Sequence, residues 1–95
     1  MAKESVIHRR IKDWLKGEGW LVWKNHGSAF SEVGLPDLMA VRDGVFLAVE
    51  VKTERGVVSA MQRRWLAEIE KAGGIAIVAR CVEDVSMQTR EKRGN

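Results

Sequence analysis

Pro36-Asp37-Leu38-Met39-Ala40-Val41-Arg42-Asp43-Gly44-Val45-Phe46-Leu47-Ala48-Val49-Glu50-Val51-Lys52 decides how this chain folds. At its centre, Asp43-Gly44 favours positive backbone angles at two successive residues, as a two-residue hairpin turn requires. The flanks therefore read as antiparallel strands, Asp37 to Arg42 and Val45 to Lys52. Such a turn also fixes the register. Arg42 lies opposite Val45, and counting along the ladder sets Asp37 across from Glu50, on one face and about 5 Å away. Apart from Glu50, the second strand is apolar on both faces up to Val51, the pattern of a strand covered on both sides.

Two facing carboxylates repel, and a charge inside so apolar a strand is costly unless something compensates it. A divalent cation held between Asp37 and Glu50 does so, and hard cations such as Mg2+ and Mn2+ prefer these oxygen ligands. Lys52 follows Glu50 by the strand period and puts its ammonium on the same face. The stretch thus reads as two metal ligands and one cation.

The whole chain has 95 residues, enough for one domain spanning 1–95. At that size a domain buries only about 60 to 65% of its unfolded surface. With 45% hydrophobic and 31% charged residues, the composition is that of a soluble globular protein. No apolar run approaches the roughly 20 residues of a membrane helix. Met1-Ala2-Lys3-Glu4 leads into an amphipathic segment and not an apolar signal block, so a cytoplasmic location is expected. Cys81 is the single cysteine, which excludes an intrachain disulfide and a cysteine-based zinc site; it reads as a buried structural thiol. A net charge of +3 and a pI near 9.4 permit a polyanionic partner without demanding one.

Upstream, Ile7, Ile11, Trp14 and Leu15 mark the buried stripe of a helix from Lys3 to Lys16. Glu4 falls within about 20° of that stripe. It is either a first-turn acid favoured by the helix dipole or a functional carboxylate beside Asp37. His8, one turn on, reads as a surface residue. Gly17-Glu18-Gly19 ends the helix, and Trp20 to Lys24 reads as the first strand. Asn25 to Leu35 is a loop whose Lys24, Asn25, His26 and Ser28 either meet a nucleic-acid backbone or form an ordinary connector. Downstream, Thr53-Glu54-Arg55-Gly56 is a turn. Ser59 to Ala72 is a second helix with Met61, Trp65, Leu66 and Ile69 inward. Ser59-x-x-Gln62 fits a capping box, which explains Gln62 without catalysis. Ile75 to Ala79 is a further strand, Val82 to Met87 a short weak helix, and Arg90 to Asn95 a tail expected to fray, residues 91–95 above all. The order α-β-β-β-α-β-α gives a mixed sheet flanked by helices.

Pro36-Asp37 followed by Glu50-Val51-Lys52 resembles the signature of the PD-(D/E)xK nucleases. Glu4 on the first helix, Gly34-Leu35-Pro36-Asp37-Leu38, Glu50-Val51-Lys52-Thr53, and Gln62 opening the next helix resemble the virus-type replication-repair nuclease domain, VRR-NUC, from about Glu4 to Asp84. The resemblance implies an α/β, restriction-endonuclease-like fold and a metal-dependent DNA endonuclease that hydrolyses phosphodiester bonds. On that basis Asp37, Glu50 and the backbone carbonyl of Val51 hold Mg2+, with Mn2+ able to substitute, and Glu4 is an outer ligand. Lys52 orients water and stabilises charge, or acts as the base. Gln62 orders the attacking water, a role that stands beside its reading as a cap. Lys24, Asn25, Ser28, Arg55 and Arg63 are candidate DNA contacts. A homodimer acting on four-way or otherwise branched DNA in replication, repair or recombination, in a bacterial or phage-infected cell, is also implied. Four Trp, with Val57, Val58 and Met61 ahead of Trp65, are more apolar surface than so small a core readily hides, which agrees with a dimer. Two alternatives remain open. One is a restriction-type or exonucleolytic enzyme of the same superfamily; the other is a non-catalytic DNA-binding module in which Asp37, Glu50 and Lys52 form a buried ion network.

Overall fold

In the computed structural model, which describes residues 2–26 and 33–92, the chain runs α1 (Glu4–Gly17), β1 (Leu21–Lys24), β2 (Leu38–Arg42), β3 (Val45–Val51), α2 (Ala60–Lys71), β4 (Ile75–Ala79) and α3 (Val82–Lys92). This is the expected element order. The strands form one mixed sheet, β1-β2-β3-β4. The first three are antiparallel and β4 runs parallel to β3, so α2 serves as the crossover that a parallel pair needs.

Asp43 and Gly44 have φ of 50° and 77°, the left-handed values of a type I′ turn. Arg42 accordingly pairs with Val45, and the ladder runs to Leu38 opposite Val49. Asp37, expected as the strand's first residue, lies just outside it. Its side chain meets β3: Asp37 Oδ2 accepts the Val51 N–H at 2.8 Å. Pro36, which has no N–H for a ladder, is fully buried directly before it.

The period of two sorts β3 onto two faces. Leu47, Val49 and Val51 join Ile75, Ile77 and Ala79 of β4 against Ile7, Ile11 and Leu15 of α1 and Val85 of α3. Phe46, Ala48, Glu50 and then Lys52 belong to the α2 face. There the buried Ala48 and Ala76 leave room for the helix to approach. It comes close: a Cβ on Gly74 would stand 2.8 Å from Ile69 and 3.2 Å from Phe46.

Several expectations need correction. Met61, read as inward, is 42% exposed; Gly34 packs against its backbone, and α2 meets the sheet through the buried Leu66 and the half-buried Ile69. Cys81 is exposed in the short connection between β4 and α3, and not buried. The last helix is longer than expected. Lys92, placed in the fraying tail, donates through Nζ to Glu70 Oε1 and to the Ala76 carbonyl, both at 2.9 Å. Residues 93–95 lie outside the described residues. Among the described residues no helix is long and apolar enough to cross a membrane.

Candidate active site

Glu50 is 2% exposed, a carboxyl sealed beneath α2. Its Oε2 accepts Gln62 Nε2 at 2.9 Å and lies 3.5 Å from Lys52 Nζ. Its Oε1 is buried with no hydrogen-bond partner. Burial first, and then the neighbouring Asp37 carboxylate, push its pKa up to about 8 against the opposing pull of Lys52. Without a cation, the group therefore holds a proton at neutral pH. These donors fit a divalent ion. Two carboxylates converge, one keeps a buried oxygen unused, and a cation in place of the shared proton removes their repulsion.

Gln62 forms the expected cap and also reaches Glu50. The Ser59 N–H donates to Gln62 Oε1 at 2.9 Å while the Gln62 N–H donates to Ser59 Oγ at 3.1 Å, a complete capping box. Because the cap consumes the amide oxygen, the amide nitrogen must point away, and it points at Glu50.

His8 was expected on the surface and is 8% exposed. Its Nε2 faces Glu4 Oε1 at 3.7 Å and Asp37 Oδ2 at 3.8 Å. Burial lowers its pKa from the ordinary value, outweighing the pull of Asp37. The signal was available in the chain. His8 follows Glu4 by four residues and precedes Ile11 by three and Leu15 by seven, which puts it on the buried stripe. Glu4, read as inward, has a side chain 56% exposed, because the first turn of α1 stands at the rim beside Asp37. The ligand atoms of Glu4, His8 and Asp37 lie within 4.8 Å of one another.

The profile of the VRR-NUC domain matches residues 2–83 of this chain. The chain belongs to the VRR-NUC domain family. Two solved structures named "VRR_NUC domain" and "VRR_NUC domain protein" are similar to it. The first has a TM-score of 0.76 at 27% identity, over 95% of this chain and 97% of that one. The second has a TM-score of 0.75 at 18% identity, over 96% and 88%. The Holliday junction resolvase Hjc of the archaeal hyperthermophile Archaeoglobus fulgidus has a TM-score of 0.63 at 25% identity, over 79% of this chain and 65% of that one. No curated protein matches the chain by sequence. The fold is thus restriction-endonuclease-like. Family membership makes the chain a nuclease domain, a phosphodiesterase acting on DNA, in a family that usually depends on a metal.

The VRR-NUC domain spends some candidate DNA contacts on its own architecture. Asn25 braces Pro36 and Asp37: its N–H donates to the Asp37 carbonyl at 2.8 Å and its Nδ2 to the Pro36 carbonyl at 3.5 Å. Arg63 is exposed, and its Nη2 donates to the Val58 carbonyl at 3.2 Å. Lys24 and Arg55 are exposed, and Ser28 lies outside the described residues. Gly34 lets the approach to Asp37 press on α2, since a Cβ there would sit 2.8 Å from Met61 Cβ and 2.9 Å from the Gln62 nitrogen. Trp65 Nε1 donates to the Val33 carbonyl at 3.0 Å and fixes the same segment. Arg80 had no signal in the chain. Its Nη1 donates to the carbonyls of Thr53, Glu54 and Gly56, the turn that follows Lys52.

Proposed function

We propose that this VRR-NUC domain is a metal-dependent DNA endonuclease that works as a homodimer, nicking the strands of four-way or otherwise branched DNA in replication, repair or recombination. The observation that carries this reading is the convergence of Glu50, Lys52, Gln62 and Asp37 on one buried carboxyl site with an unused oxygen. Asp37, Glu50 and the Val51 backbone carbonyl would hold Mg2+, with Mn2+ as substitute. When bound, the cation polarises the phosphate and acidifies a water. Lys52 orients that water and meets charge growing on the phosphoryl oxygens. Gln62 holds the Glu50 carboxylate in one orientation. Glu4 stands one layer out, and Lys24, Arg55 and Arg63 meet backbone phosphates.

Cutting two strands in a coordinated way needs two copies of a single-site domain, and two-fold symmetry is the commonest way to place them. Val33 at 71%, Val57 at 80% and Met61 at 42% exposure supply apolar surface for that contact. The similarity to a protein named a Holliday junction resolvase supports the substrate class.

The test is cleavage of a synthetic four-way junction against a linear duplex, with Mg2+ and with EDTA. Paired nicks at symmetric positions are expected with Mg2+ alone, and Asp37→Ala, Glu50→Ala and Lys52→Ala should each abolish them. Light scattering should give about twice 10.7 kDa. Full cleavage in EDTA would sink the metal reading. A monomer that shortens linear strands from their ends would replace this activity with an exonucleolytic one.

A further inference from the structure

We propose that Glu4, His8 and Asp37 form a second divalent-cation position, sharing Asp37 with the one assigned to Asp37 and Glu50, in which the His8 imidazole is a nitrogen ligand that favours a first-row transition ion over Mg2+. The inference rests on the proposed function only through the shared Asp37.

The distances suit an ion. His8 Nε2 stands 3.7 Å from Glu4 Oε1 and 3.8 Å from Asp37 Oδ2, beyond the range of a hydrogen bond. Two donors bound to one ion at about 2.0 to 2.2 Å lie roughly 3 to 4 Å from each other, as these do. The His8 side chain is 10% exposed, and its Nε2 stands between the two carboxylates without reaching hydrogen-bond distance of either. A polar ring sealed against α1's apolar stripe without a hydrogen bond is a net cost, and an apolar side chain would fill the place better. An ion gives Nε2 and both carboxylates a common partner.

The local sequence builds the pair of helix ligands. Glu4 and His8 are four residues apart on α1, the spacing that presents two side chains together on one face. Asp37 arrives from the other direction, its Oδ2 fixed by the Val51 N–H at 2.8 Å. Two carboxylates and a neutral imidazole balance a doubly charged ion. Glu50 already has Gln62 and Lys52 against its Oε2, and among the described residues it is not one of this group of three. The nitrogen sets the preference, because imidazole suits transition ions whereas Mg2+ takes oxygens.

The probe is Mn2+ alone, added to the wild-type chain and followed by calorimetry and pulsed EPR. Two Mn2+ per chain and a 14N modulation in the Mn2+ spectrum are expected. His8→Gln should remove the modulation and weaken one of the two by about tenfold or more, with Mg2+ binding changed less. Glu50→Gln should keep the nitrogen-coupled Mn2+. The spectrum of the wild-type protein stands even if His8→Gln does not fold. Mn2+ binding without 14N coupling would overturn this inference and leave the proposed function intact; no Mn2+ binding at all would overturn both.

Discussion

Gln62 Nε2 donates to Glu50 Oε2 at 2.9 Å while the same amide's oxygen accepts the Ser59 N–H, so one side chain both caps α2 and orients a site carboxyl. Gln62→Glu keeps an acceptor for the cap but sets a second oxygen against Glu50 in place of a donor. With Glu50 holding the metal as proposed, cleavage should fall by about 10- to 100-fold, the usual cost of losing a partner behind a ligand. Ser59→Ala should lower stability by about 1 kcal/mol and leave the cleavage rate near the parent's. Single-turnover cleavage and thermal melts separate the two. A Gln62→Glu variant that cuts like the parent would reduce the glutamine to a cap.

Asp37 answers to the backbone as well as to Glu50. Asp37→Asn keeps an acceptor for the Val51 N–H and removes the charge beside Glu50. It should melt at or above the parent temperature in EDTA and bind no cation between the two positions. Asp37→Ala also relieves the repulsion but strands a buried N–H, at about 1 to 3 kcal/mol. It should therefore melt below Asp37→Asn, and equal melting of the two would show that this hydrogen bond does little.

Stability should depend on pH through Glu50. Its pKa is about 8 in the fold against 4.5 ordinarily, so the folded state keeps a proton that the unfolded chain releases. The sign follows: the contribution is fully present below about pH 4.5, declines as pH rises, and is gone above about pH 8. His8 acts in the opposite sense at the acid end, because its lowered pKa lets the unfolded chain take up a proton first. Urea unfolding in EDTA should show the loss toward alkaline pH in the wild type and not in Glu50→Gln. A saturating divalent ion should flatten it, since the cation replaces the proton.

Gly34 and Gly44 make a matched pair of alanine substitutions. Both have positive φ, 86° and 77°, so each alanine carries a strain of about 1 to 3 kcal/mol. Gly44 opens onto empty space, whereas a Cβ at Gly34 would stand 2.7 Å from the Met61 backbone carbon. Gly34→Ala must therefore also push the first turn of α2, with Gln62, away from Glu50. Cleavage should collapse in Gly34→Ala and survive in Gly44→Ala when both are assayed well below their melting points.

What could be read in the chain was local. Asp43-Gly44 leaves one register for its hairpin, and the ladder follows that register to Leu38 and Val49. Ser59 and Gln62 carry their cap in a four-residue pattern, and Ile75 to Ala79 is apolar between glycines and the next helix. What could not be read was set from elsewhere in the fold. Met61 sits at an inward spacing, yet Gly34 takes the space beside its backbone. Asp37 leaves the ladder because its carboxylate competes for the Val51 N–H. His8 shows its buried spacing in the chain, but not that Asp37 would come to face it. Lys92 finds Glu70 and the Ala76 carbonyl at separations of 22 and 16 residues, beyond any sequence window.

Lys52 is seated from far down the chain. Its N–H donates to the Ala79 carbonyl, and the turn behind it is clasped by Arg80, 27 residues beyond Thr53. During synthesis, Glu4, Asp37, Glu50, Lys52 and Gln62 all leave the ribosome before the strand that seats the lysine. A chain broken off before β4 carries every one of these residues but lacks the carbonyl that takes the Lys52 N–H.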